Sequence, residues 1–240
     1  RYGFRPDLIL TYGLRYSLEF EGLDEIRIPK AHIIIDFFPA RGDYKGSWDR
    51  SVAFFKKNKY DIYFTRYITQ IEYLEKAGVK GLKFWLPFSV DETKYVDQGL
   101  DRKDSIFACS NDRKDVYPDR ARLKNLLRKK FKVINGKIYH GEYINAINAS
   151  KICFINTNVF NTFNMKYTEF SACGSFILTN ECPELDSLGY KDGEHLVIYK
   201  DDKDLMDKAS YYLEHDEERE RIASNGKKWT LKHFTNKEMA

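Results

Sequence analysis

Short apolar runs alternate with longer amphipathic stretches along the whole chain. Residues 7–12 (DLILTY), 31–37 (AHIIIDF), 60–65 (YDIYFT) and 81–86 (GLKFWL) have strand length and strand composition, and Pro87 closes the last. Between them, residues 48–57 and 67–77 repeat apolar positions at helical spacing, and Gly78 stops the second. The rhythm then restarts. Residues 104–109, 131–134, 151–156, 175–179 and 195–199 read as strands, and 118–130, 143–149, 166–173, 201–214 and 216–234 as helices. Pro118 suits a helix start, with Leu123, Leu126 and Leu127 on one face, and Gly174 suits a helix end. Asp201 and Asp216 are expected N-caps.

Strand–helix alternation at this spacing predicts an α/β protein with parallel sheets covered by helices. The polar stretch 89–103 breaks the rhythm and is the expected boundary. It divides the chain into an N-terminal Rossmann-like domain, residues 1–100, and a C-terminal one, residues 101–240. The first is short for such a domain and starts at Arg1, so further strands are expected upstream. Two such domains would enclose a cleft facing the carboxyl ends of their strands, where open α/β sheets bind ligands.

Composition narrows the class. With 42% hydrophobic and 32% charged residues the chain has material for real cores and reads as a soluble, cytoplasmic protein. No apolar run approaches the roughly 18 residues of a membrane span. A net charge of +4, spread along the chain, is no nucleic-acid footprint. It suits an anionic substrate and is compatible with a peripheral membrane contact. The basic helix 117–132 is expected to be a solvated face. Cys109, Cys153, Cys173 and Cys182 form no C-x-x-C pair, so they are expected to be reduced, with no metal site.

Candidate chemistry concentrates in residues 165–180 (MKYTEFSACGSFILTN). Glu169 lies on a helix, five residues before Gly174, and a carboxylate there can accept both hydroxyls of a ribose. Lys166, three residues earlier, shares its face. The turn 110–114 (SNDRK) follows a strand and offers N–H groups, Arg113 and Lys114 to a diphosphate, with Arg120 as a third cation. Residues 139–142 (YHGE) lead into a short helix. The Asn-rich loop 156–164 suits sugar hydroxyls. Asp36 at a strand end, then Asp43, His32 and His140, are candidate bases.

The runs YTEFSACGSFILT, GYKDGEHLVIY and, over residues 213–226, LEHDEERERIASNG resemble the C-terminal half of GT-B glycosyltransferases of the CgeB-like, spore-maturation group. The resemblance is good over residues 104–240 and weak over 7–100. It implies a GT-B-like fold of two Rossmann-like domains and metal-independent transfer from a UDP- or GDP-type sugar to an acceptor hydroxyl, with retention. No cofactor beyond the nucleotide-sugar substrate is implied. The second acid of the family's E-x7-E pattern falls on Glu169, and the position eight residues earlier holds Asn161. Donor binding is thereby expected from Glu169, Arg113, Lys114, Lys166, Tyr143, Asn161, Thr168 and Gly174, with Thr162 and Asn164 near the sugar. Asp36 and His140 are the expected catalytic groups. Asn161 in an acid position also admits a rival, a catalytically weakened module that binds a nucleotide or glycan.

Overall fold

A computed structural model describes residues 6–14, 22–35, 47–109, 117–135, 140–157 and 160–239. The chain forms two compact units, Arg1–Pro87 and Phe88–Ala240.

In the first unit the strands β1 (Ile9–Leu14), β2 (Lys30–Ile35), β3 (Ile62–Thr65) and β4 (Leu82–Trp85) lie in that order in one parallel sheet. The helices α1 (Ser47–Asn58) and α2 (Thr69–Lys76) connect the last three strands. Right-handed crossovers that all step the same way put their connections on one face. Ile34 and Tyr63 point to that face and pack with Phe55, Leu74, Val79 and Leu23, the last from a short 3-10 turn. Through the register, Leu10, Ala31, Ile62 and Leu82 share the other face, as do Tyr12, Ile33, Phe64 and Phe84. There the edge strands leave Leu10, Tyr12, Leu82 and Phe84 exposed.

The second unit orders its parallel strands β6-β5-β7-β8-β9. These are β5 (Lys103–Phe107), β6 (Val133–Ile134), β7 (Ser150–Ile155), β8 (Phe176–Asn180) and β9 (Val197–Tyr199). The helices α3 (Pro118–Arg128), α4 (His140–Ala149), α5 (Met165–Ala172), α6 (Pro183–Ser187), α7 (Asp202–Glu214) and α8 (Asp216–His233) complete it. The chain steps from β5 to β6 and then crosses back to β7, so its helices fall on both faces. Ile106, Ile152, Phe176 and Val197 pack with Leu123 and Leu127 of α3 and Leu205 and Ala209 of α7. On the opposite face, Phe107 meets Phe170 of α5 and Tyr143 of α4. Residues 88–101 pack with this unit: Val90 N–H donates to Phe234 O at 2.9 Å, and Gln98 N–H to Asn148 Oδ1 at 2.9 Å.

The expected elements are present, with ends shifted by a few residues, and α6 and the 3-10 turn are additions. Short elements carry too few turns for a periodicity. Asp201 caps α7 through Asp204 N–H at 2.8 Å, as expected. Asp216 does not cap α8: the N-cap is His215, and the Asp216 carboxylate is drawn instead to Lys151 at 2.9 Å and to Arg219. The closing motif has a structural explanation. Arg219 is buried and donates to Tyr212 O at 2.9 Å, while a Cβ at Gly226 would stand 2.4 Å from His195 O. The four cysteines are free thiols, with Cys109 partly exposed and the others buried. No helix among the described residues is long and apolar enough to cross a membrane.

Candidate functional site

Reversal of direction between β5 and β7 makes a topological switch point, where the two neighbouring loops leave the sheet on opposite sides and open a crevice. The second unit's functional side chains gather at that carboxyl edge. Asn156 and Thr157 follow β7, and Cys109 follows β5 shortly after its end. The helix α5 starts from the loop after β7, with Asn164 as its N-cap accepting from Lys166 N–H at 3.1 Å. The positive amino end of α5 therefore faces the crevice.

Glu169 is buried, 8% exposed. Its Oε2 accepts the Tyr143 hydroxyl at 2.8 Å. Burial pushes the Glu169 carboxyl above its ordinary pKa, opposed by the hydroxyls of Tyr143 and Tyr95 and by the Lys166 and Lys94 charges. Lys166 is half-buried as a residue, but its ammonium is enclosed. Burial and the nearby Arg120 guanidinium bring its pKa down to about 8, with Lys124 adding to the fall and Glu169 opposing it.

Two further cations come from α3, the basic helix expected to face solvent, of which the sequence singles out Arg120 and not Lys124. Arg120 and Lys124 are both buried, while Arg122, Lys129 and Lys130 are exposed. Arg120 Nε donates to Asn156 O at 2.8 Å, and its guanidinium lies 3.5 Å from the Tyr117 ring centroid. Lys124 Nζ donates to Asn135 Oδ1 at 3.2 Å. Spacing was the available signal: Arg120 and Lys124 are four apart and lie alongside Leu123 and Leu127.

Other expected residues are placed as follows. Tyr143 presents its hydroxyl to Glu169, and its ring is packed against Phe107 and Phe170, with centroids 5.6 and 6.4 Å apart. Thr168 is buried and donates to Met165 O at 2.9 Å, within its own helix. Asn161, at φ 52°, accepts from Thr157 Oγ1 at 2.7 Å and from Asn180 Nδ2 at 3.2 Å, so its amide braces the loop. Gly174 does not join the group. It sits between α5 and β8, at the opposite edge of the sheet, at φ 64°, where a Cβ would stand 2.7 Å from Asp97. A parallel sheet forces this, because a helix end and the following strand start share the amino edge. His140 opens α4. Asp36, Asp43, Arg113 and Lys114 lie outside the described residues, as does the His140 side chain. His32 faces the first unit's helices, its Nδ1 2.6 Å from Thr11 Oγ1, among Phe54, Phe55 and Tyr60. Burial lowers its pKa to about 4, which makes it a neutral core residue. Among the described residues, no three His, Cys, Asp or Glu side chains gather as metal ligands would.

Sequence-family and structural comparisons bear on this arrangement. No curated protein matches the sequence. Sucrose-phosphate synthase from Thermosynechococcus elongatus superposes over all of this chain and 72% of its own, with a TM-score of 0.68 and 13% identity. Anabaena HepE, in complex with UDP and glucose, superposes over 89% of this chain and 70% of its own, with a TM-score of 0.70 and 10% identity. The pneumococcal O-GlcNAc transferase GtfA, in complex with UDP and GlcNAc, covers 88% and 50% respectively, with a TM-score of 0.59 and 11% identity. These likenesses establish the GT-B fold. The sequence model of the glycosyl transferase-like family matches residues 111–240, more than half of the chain, and the protein therefore belongs to that family.

Proposed function

We propose that the chain transfers a glycosyl group from a UDP-type sugar to an acceptor hydroxyl, without a metal or cofactor and with retention of configuration. The observation that carries this reading is the pairing of Glu169 with the cations Lys166, Arg120 and Lys124 at the switch point of the second sheet. A carboxylate beside a cluster of cations matches a ribose diol beside a diphosphate. HepE and GtfA, which share the fold, were each seen with UDP.

Glu169 accepts the ribose hydroxyls in this reading, and Tyr143 holds it in place. Lys166, Arg120 and the first turn of α5 face the diphosphate, with Lys124 behind them and Arg113 and Lys114 supplied by the turn before α3. As the bond from anomeric carbon to phosphate oxygen breaks, negative charge grows on the departing diphosphate. Fixed cations stabilise that growing charge more than they stabilise the bound donor, and this difference lowers the barrier. Asp36 and His140 are proposed as the groups that manage the acceptor's proton, and Asn161 and Asn164 as neighbours of the donor sugar.

A second reading is favoured by one observation. Asn161 stands at the acid position of the family pattern and is engaged with Thr157 and Asn180. A site so altered would bind nucleotide without turning it over.

Thermal shift with UDP-glucose, UDP-GlcNAc and GDP-mannose tests the proposal, since a ligand raises the melting temperature by mass action. A UDP-sugar is expected to raise it in the natural chain and to leave Glu169→Ala, still folded, unmoved. An equal shift in Glu169→Ala removes the carboxylate from the site. Binding without release of UDP, in the presence of acceptor sugars, favours the second reading.

A further inference from the structure

The loop from β7 to α5 is rich in asparagine, and two of its amides have their orientation set by the protein itself. Thr157 N–H donates to Asn180 Oδ1 at 2.8 Å, which fixes that amide, since a backbone N–H must meet an oxygen. Asn180 Nδ2 is then the donor, to Thr157 Oγ1 at 2.7 Å and to the Asn161 side chain at 3.2 Å. The Asn161 atom facing it is therefore Oδ1, which also accepts from Thr157 Oγ1 at 2.7 Å. At the start of α5, Asn164 Oδ1 accepts Lys166 N–H at 3.1 Å, so its amide is fixed by the same rule.

Both amide oxygens are thus engaged inside the protein. Both NH₂ groups, by contrast, meet no acceptor among the described residues, and both residues are half-buried rather than enclosed. The backbone holds this presentation in place. Asn161 sits at φ 52°, with its carbonyl accepting from Cys182 Sγ at 3.4 Å, and Phe163 N–H donates to Glu184 Oε2 at 2.6 Å. A cation belongs to the same strand end: Asn156 O, one residue before Thr157, accepts from Arg120 Nε at 2.8 Å. The two amides therefore offer a ligand donors and no acceptor, at a strand end that also carries positive charge.

We propose that Asn161 and Asn164 select a donor sugar that bears a carboxylate, a hexuronic acid rather than a neutral hexose. This rests on the reading of the site as the place of a nucleotide-sugar. A sugar hydroxyl both gives and accepts a hydrogen bond, and against two NH₂ groups its own hydrogen finds no partner. An ionised carboxylate only accepts, so it matches a donor-only surface, and its bonds there are charge-assisted. An acidic side chain at residue 161 would do the reverse, taking hydroxyl hydrogens and repelling a carboxylate. The neutral Asn161 is then a change of specificity rather than a loss of activity.

Titration calorimetry on the full chain tests this with UDP-glucuronate and UDP-galacturonate, each paired with its neutral counterpart, UDP-glucose or UDP-galactose. The members of a pair differ only at C6, so their affinity ratio isolates the carboxylate from the shared UDP. At least one uronate is expected to bind about tenfold more tightly than its counterpart, the difference between a hydrogen bond to a charged group and one to a neutral group. Asn161→Asp and Asn164→Asp have the natural shape and keep an oxygen for the bonds now made, and each is expected to lower that ratio. Uronates that bind no more tightly than their counterparts overturn the proposal with no variant needed, and so does a ratio that either variant leaves unchanged. Glu169→Ala separates the two levels of inference. If it loses UDP while neither uronate is preferred, the acid selection is wrong and the ribose reading stands. If it binds UDP as the natural chain does, both are wrong.

Discussion

In the first unit the connections all step one way along the sheet, and in the second they reverse after β6. That difference in winding decides how each sheet is protected and where a ligand can bind. The first sheet packs one face against α1 and α2 and leaves large apolar side chains of both edge strands exposed on the other. The second has helices on both faces, and its central strands β7 and β8 are buried almost throughout. Reversal also creates the switch point that brings Glu169, Lys166, Arg120 and Lys124 together. The fully covered sheet is therefore the one that carries the candidate site.

The sharpest way to test this contrast is to delete apolar side chains from each sheet. Phe176 is 1% exposed between the second sheet and α7, so Phe176→Ala is expected to cost about 3–5 kcal/mol in denaturant unfolding. Leu82, 62% exposed on the uncovered face, is expected to cost no more than about 0.5 kcal/mol as Leu82→Thr. Similar losses at the two sites would mean that the first sheet's open face is covered in solution.

Acid should also separate the units. The folded His32 pKa, about 4, lies below the ordinary 6.5, so the imidazole is neutral when folded and charges on unfolding. Its contribution is fully present above pH 6.5 and is lost as pH falls towards 4, by about 3 kcal/mol. Unfolding of the first unit followed from pH 7 to pH 4 checks this, and His32→Phe is expected to remove that part of the acid sensitivity. An identical pH profile in the variant would show that His32 is not held neutral.

A smaller effect belongs to the second unit. Lys166 titrates near pH 8, below the usual lysine range, so its charge is complete at pH 7 and lost as pH rises through 8. UDP affinity is expected to be about tenfold weaker at pH 9 than at pH 7, one pH unit of proton uptake. Lys166→Arg, charged throughout, is expected to flatten the profile. A flat profile in the natural chain would place the ammonium away from the diphosphate.

Much of this protein could be read along the chain. Apolar periodicity located the strands and the longer helices, because burial on one side of an element repeats with that element's own period. The residues around Glu169 could also be singled out, since a helix, Gly174 and a buried strand follow one another there. Other features could not. Lys124 looks like the exposed lysines and arginines beside it until α3 is seated on the sheet and turns it inward. Tyr143 bonds to Glu169 from 26 residues away in sequence, and no local pattern marks such a pair. Gly174 is adjacent to the site in sequence and at the far edge of the sheet in space.

The sequence by itself determined the alternating elements, the α/β class and the carboxylate that anchors the proposed site. Those are consequences of spacing within a few turns of chain. Tertiary structure alone decided which charges are buried, that Tyr143 holds Glu169 and which sheet face stays open. These depend on strand order, and strand order brings distant residues together through burial of their shared apolar faces.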